Sequence, residues 1–130
     1  MTTAQLGQRR TGQREAIHKV IREAQGPLTV DEILGRARRS SRGLGIATVY
    51  RTVKLLLDAD EIKTVTLPDG QTRYEAADLG HHHHFRCRGC GKVYDLDVCP
   101  MSLRGLDELP KGFRVDGHEL TLFGLCPSCE

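Results

Sequence analysis

Apolar residues recur at helical spacing between Gln13 and Ala24, where Ile17, Val20, Ile21 and Ala24 share one side. Gly26-Pro27 closes that helix. Thr29 opens a second, with Glu32 placed to complete a capping box and Val30, Ile33, Leu34 and Ala37 on the inner face. A Gly- and Ser-rich turn, Ser40-Ser41-Arg42-Gly43-Leu44-Gly45, follows. A third helix then has Ile46, Val49, Val53 and Leu56 inward, and Thr48, Tyr50, Arg51, Thr52 and Lys54 outward. Ile62–Thr66 and Thr72–Glu75 flank Pro68-Asp69-Gly70, which predicts a hairpin. Two helices joined by a short turn and followed by a hairpin make a winged helix-turn-helix. Residues 1–12 are polar and expected to be loosely held.

The second half changes character. Residues 76–80 are a plausible hinge between a winged-helix region, 1–75, and a region at 81–130. Strands are expected at 84–88, 92–97, 113–116 and 119–125. A short helix over about 101–109 rests on Met101, Leu103, Leu106 and Leu109, between Pro100 and Pro110. The fold class is therefore α+β: an N-terminal winged helix-turn-helix, then a small sheet with one helix, stapled by a structural zinc.

With 38% hydrophobic and 28% charged residues, the 130-residue chain has the make-up of a soluble globular protein. No apolar run is long enough to span a membrane, and no leader is evident, so a cytoplasmic protein is expected. The net charge of +2 predicts no partner, but its distribution does. Arginines and lysines crowd residues 9–54, where the only acids are Glu15, Glu23, Asp31 and Glu32. Thr48, Tyr50, Arg51 and Lys54 lie on the exposed face of the third helix, suited to base edges and phosphates in a major groove. Arg14 and Lys19 are candidate phosphate contacts, and Arg9 and Arg10 a basic arm that reaches a minor groove. Double-stranded DNA is the partner this distribution indicates.

Metal chemistry dominates the rest. Cys87-Arg88-Gly89-Cys90 and Cys126-Pro127-Ser128-Cys129 offer four thiols, and zinc in structural sites takes four tetrahedral ligands, thiolates above all. The separation of the pairs requires folded structure between them. His81-His82-His83-His84 runs directly into the first pair and is internal, unlike a purification tag. In an extended strand His81 and His83 would face away from His82 and His84, so one run could feed two sites. Glu75, Asp95, Cys99 and His118 are further ligand types nearby, and thiolate with imidazole favours zinc over iron(II) or manganese. The chain has no HExxH, no HxE paired with PCxxC and no nucleophile elbow, so neither an enzyme nor a small organic substrate is expected. A metal-storage protein or a zinc-ribbon interaction module would use the Cys and His residues but leave the basic helix idle.

Five motifs in this order resemble the ferric uptake regulator (Fur) family of metal-dependent bacterial repressors over nearly the whole chain. They are Thr11-Gly12-Gln13-Arg14, Gly45-Ile46-Ala47-Thr48-Val49-Tyr50-Arg51-Thr52, the His run through Cys90-Gly91-Lys92, His118-Glu119-Leu120, and Gly124-Leu125 with the last thiol pair. The resemblance implies an α/β dimerisation domain after the winged helix, and a homodimer that binds a palindromic operator when metal-loaded. It makes Cys87, Cys90, Cys126 and Cys129 the structural zinc site, and Glu75, His82 and His84 three ligands of the regulatory metal. His81, His83 and His118 match a further site, whose usual Glu falls at Ser102. The iron-sensing pattern adds a His where this chain has Pro27-Leu28, and the peroxide-sensing pattern an Asp at Asp95. The actinobacterial zinc-sensing pattern uses an Asp and a Cys where this chain has Lys63 and Ala76. Cys99-Pro100 and the ending Leu122-Phe123-Gly124-Leu125-Cys126 look like the cyanobacterial zinc uptake regulator branch. The implied function is a zinc-sensing repressor of zinc-uptake genes, with Cys99 joining Glu75, His82 and His84; an iron, manganese or peroxide sensor is the alternative within the family.

Overall fold

The computed structural model describes residues 3–79, 82–97 and 109–130, with side chains of the first helix from Gly12 onward. The chain divides into two compact units, Met1–Leu79 and Gly80–Glu130. Among the described residues no helix is long and apolar enough to cross a membrane.

The first unit opens with α1, Thr3–Glu23. The helix thus starts well before Gln13, within the stretch expected to be loose. Ala, Leu, Gln and Arg there are good helix formers and outweigh Gly7 and Gly12. α2, Val30–Ala37, carries the capping box in full: Glu32 N–H donates to Thr29 Oγ1 at 3.2 Å, and Thr29 N–H to Glu32 Oε1 at 3.0 Å. Arg38 Nε donates to the Leu44 carbonyl at 2.9 Å and so spans the turn into α3, Ile46–Asp58. α3 buries Val49, Thr52, Val53 and Leu56. Two expectations are corrected here. Thr52 lies one turn from both Val49 and Leu56 at one edge of that face and goes inside, while Ile46 sits at the other edge and is 40% exposed. Ile17, Ile21, Leu28, Ile33, Leu44, Val49 and Val53 belong to one core packed between the three helices.

β1, Ile62–Thr66, and β2, Thr72–Ala76, form the antiparallel wing. β2 takes Ala76, the first residue expected of the hinge. Leu28, between α1 and α2, exchanges both backbone bonds with Tyr74, at 2.9 and 2.8 Å, and so ties the wing to the helices. At the wing tip, Arg73 makes a bidentate pair with Asp69, at 3.1 and 2.9 Å. Asp69 Oδ1 also accepts the Gln71 N–H at 3.1 Å, and Gly70 supplies the positive φ of 78°.

The second unit is a three-stranded sheet in the order β4-β3-β5. β3, His83–Cys87, pairs antiparallel with β4, Val93–Leu96, and parallel with β5, Thr121–Gly124. Residues 113–116, expected as a strand, pair with nothing among the described residues. Phe113 is 70% exposed there, and Arg114 and Asp116 bind each other at 2.9 Å in solvent. The expected helix at 101–109 lies, apart from Leu109, outside the described residues.

Arg73 is 2% exposed and its charge is compensated by Asp69, so truncating the acid strands a buried guanidinium. Asp69→Ala is expected to destabilise the first unit by about 3 kcal/mol. Urea denaturation of the purified variant checks this; an unshifted midpoint would show that the wing tip contributes little.

Candidate metal centres and nucleic-acid interface

The turn that reverses β3 into β4 carries Cys87 and Cys90, and the chain leaving β5 carries Cys126 and Cys129. Parallel pairing puts Cys87 beside Gly124, which fixes the distance between the two thiol pairs. All four Sγ atoms lie within 4.8 Å of one another. Cys90 Sγ and Cys126 Sγ are 3.8 Å apart. Zinc with sulfur bonds of about 2.3 Å in a tetrahedron requires S···S edges of about 3.8 Å, so the donor set fits that ion. Gly91 turns the chain with φ 75°. Gly89 has a different reason: a Cβ there would stand 3.0 Å from both Cβ and Sγ of Cys129.

Backbone and side-chain donors surround the sulfurs. Cys87 Sγ accepts the N–H groups of Cys126 and Cys90, each at 3.4 Å. These bonds, that of Cys126 first, hold its thiol down at about 6. The Cys126 thiol is also lowered, chiefly by the hydroxyl of Tyr94, whose own ionisation the same bond pushes up to about 12. Cys129 is pushed up to about 12 by its bonds to Cys87 and then Cys126.

The opposite end of β3 gathers imidazoles. His82 Nε2 and His84 Nε2 each lie 3.3 Å from the same oxygen, Asp95 Oδ1. Their rings meet edge to face with centroids 5.0 Å apart. His84 and Asp95 are cross-strand partners, so the register of β3 and β4 creates the cluster. Zinc with N and O ligands at about 2.05 Å needs edges of about 3.3 Å, and both edges to Asp95 have that length. His83 points the other way, is buried, and brings Nε2 within 3.1 Å of His118 Nε2, the rings stacked at 4.8 Å. That spacing suits a shared proton or two ligands on one ion. His81, Cys99 and Ser102 lie outside the described residues. Glu75 belongs to the first unit, where its carboxylate is 3% exposed and faces Lys63.

On α3, Tyr50 is 58% exposed, and Arg51 and Lys54 are also exposed. Arg51 Nη2 donates to Thr48 Oγ1 at 3.1 Å, which orients the guanidinium along the helix face. Arg14 and Lys19 are exposed on α1. Arg9 and Arg10 fall within the helical backbone of α1, so the basic arm expected there is helix rather than extended chain.

Sequence reading singled out neither Tyr94 as a hydrogen-bond partner of Cys126 nor Asp95 as the acid shared by His82 and His84. Both depend on strand register, which local pattern does not specify.

The profile of the ferric uptake regulator family matches residues 5–123. The chain is 32% identical to the ferric uptake regulation protein of Campylobacter jejuni over 96% of its length and 82% of that protein. It is 28% identical to the peroxide operon regulator of Bacillus subtilis, over 98% of this chain and 88% of that one. A solved zinc-bound manganese uptake regulator superposes with a TM-score of 0.74 at 32% identity, covering 88% of this chain and 87% of the other.

Tyr94→Phe removes the hydroxyl at Cys126 and keeps the ring. Zinc is expected to leave the thiol cluster about tenfold faster to a chelator, as for lost outer-shell partners elsewhere. Release timed with a chromogenic zinc indicator checks it; an unchanged rate would remove Tyr94 from the centre.

Proposed function

The chain belongs to the ferric uptake regulator family, and from that premise we propose that it is a zinc-sensing repressor. At the coarser level it is a metal-responsive transcriptional regulator and not an enzyme. The finer reading is a homodimer that binds a palindromic operator when zinc-loaded and represses zinc-uptake genes. The observation that carries a regulatory metal is the trio His82, His84 and Asp95, built at one end of β3 while the thiols occupy the other.

Cys87, Cys90, Cys126 and Cys129 hold the structural zinc, which when bound supplies cross-linking and no reaction. Glu75, His82 and His84 hold the regulatory ion. The fourth position falls to Asp95 or Cys99, and a thiolate there would tilt the site to zinc. Two features support zinc. The iron pattern's extra His has no counterpart, because Leu28 is an apolar residue buried against the wing. The N/O edges match a tetrahedron. Asp95 beside two imidazoles favours a second reading, an iron, manganese or peroxide sensor, since oxygen and imidazole ligands suit those ions as well.

Glu75 lies on the last strand of the wing and His82 just before β3, so ligands on both sides of residues 76–81 would make metal binding a restraint on that segment. In the dimer this favours the arrangement with α3 helices spaced for successive major grooves, about 34 Å apart. A coupling of about 1–3 kcal/mol suffices for a several-fold to hundredfold change in DNA affinity. Thr48, Tyr50, Arg51 and Lys54 read the groove, and Arg14, Lys19, Arg9 and Arg10 hold the backbone.

The test uses protein keeping one zinc per chain and a DNA fragment selected by the zinc-loaded form. Zinc in the physiological free range is expected to restore binding, and Arg51→Ala to abolish it with metal content unchanged. Restoration by iron(II) or manganese, with zinc acting only in excess, would overturn the zinc assignment; binding indifferent to every metal would overturn the regulatory site.

A further inference from the structure

Glu75 is almost fully buried, yet a carboxylate in that position must be compensated. The wing supplies one compensating partner. Lys63 is the direct cross-strand partner of Glu75 in the β1–β2 register, and its Nζ lies 3.7 Å from Glu75 Oε1. The lysine is 42% exposed, so its ammonium can leave for solvent while its stem stays on the strand. The pairing lies wholly within the first unit.

We propose that Lys63 is a tethered competitor for the regulatory metal and sets the concentration at which the protein responds. This rests on the reading of Glu75 as a ligand of that metal. In the metal-free protein the ammonium neutralises Glu75 at 3.7 Å, and that stabilisation is given up when the carboxylate turns to a divalent ion. The ammonium then stands near two positive charges and is repelled. Both effects weaken metal binding relative to a neutral residue at position 63. Lys63 is thus an affinity-setting residue that touches a ligand and not the ion. In this step Lys63 exchanges its partner for water.

Lys63→Met keeps the length of the side chain and removes its charge, and Lys63→Arg restores a charge. The second zinc equivalent is titrated into protein that already holds its first, against a competing fluorescent chelator. Lys63→Met is expected to bind that equivalent on the order of fivefold more tightly, the effect of a charge pair of modest strength. Lys63→Arg should stay within about twofold of the native protein. In a Glu75→Gln background, Lys63→Met should tighten binding by less than it does in the native protein, because the competitor has lost its target and only the direct repulsion of the ion remains. Unchanged or weaker binding by Lys63→Met, with Glu75→Gln itself lowering affinity, overturns the competitor role and leaves Glu75 as a ligand. Native affinity in Glu75→Gln overturns the ligand reading, and this inference with it.

Discussion

The two-residue period of a single strand organises the metal chemistry of this protein. β3 is five residues long, from His83 to Cys87. Alternation sends His84 towards Asp95 and His83 towards His118, while the end of the strand delivers Cys87 to the thiol cluster. A shift of one residue in register would exchange the faces and dismantle both imidazole pairings. β3 is also the central strand, so its hydrogen bonds to β4 and β5 hold all three groups at once. Among its described residues the second unit buries few apolar side chains, Val93 among them, which suits a small sheet that a metal would staple.

The first unit solves a different problem. Its helices share an apolar core, and its wing is tied on by the Leu28–Tyr74 bridge. The wing also buries two charged residues, Arg73 and Glu75, two positions apart on the same strand. Asp69 answers the first through a bidentate pair, which rigidifies the tip. Lys63 answers the second across the strands, at longer range and with an exposed head. A tight pair suits a structural task, and a loose one suits a group that must change partners.

Much of this was legible because it is local. The Thr29 capping box, the apolar faces of α1 and α2, the Val49, Val53 and Leu56 face of α3 and the alternation around Pro68-Asp69-Gly70 are set by residues close in sequence, and each appears as expected. The exceptions have physical causes. Helix propensity before Gln13 carries α1 back to Thr3 despite the polar composition. Thr52 is buried because helix geometry places it one turn from two apolar neighbours, whatever its own polarity. Residues 113–116 alternate like a strand but pair with none of the described residues, and alternation alone makes no sheet. The four paired cysteines announced themselves by spacing. Tyr94 did not, and Asp95 stood out as a nearby ligand type without its pairing to His82 and His84, because those contacts arise from cross-strand register and long-range approach.

On the proposed reading, two chemically distinct metal centres lie at the two ends of β3. Zinc K-edge absorption of protein carrying one, then two, zinc equivalents per chain tests it most directly. The first equivalent should show a pure sulfur shell at about 2.3 Å. The difference spectrum for the second should contain nitrogen and oxygen at about 2.0 Å, with at most one sulfur. A mixed sulfur and nitrogen shell already present at one equivalent would contradict it.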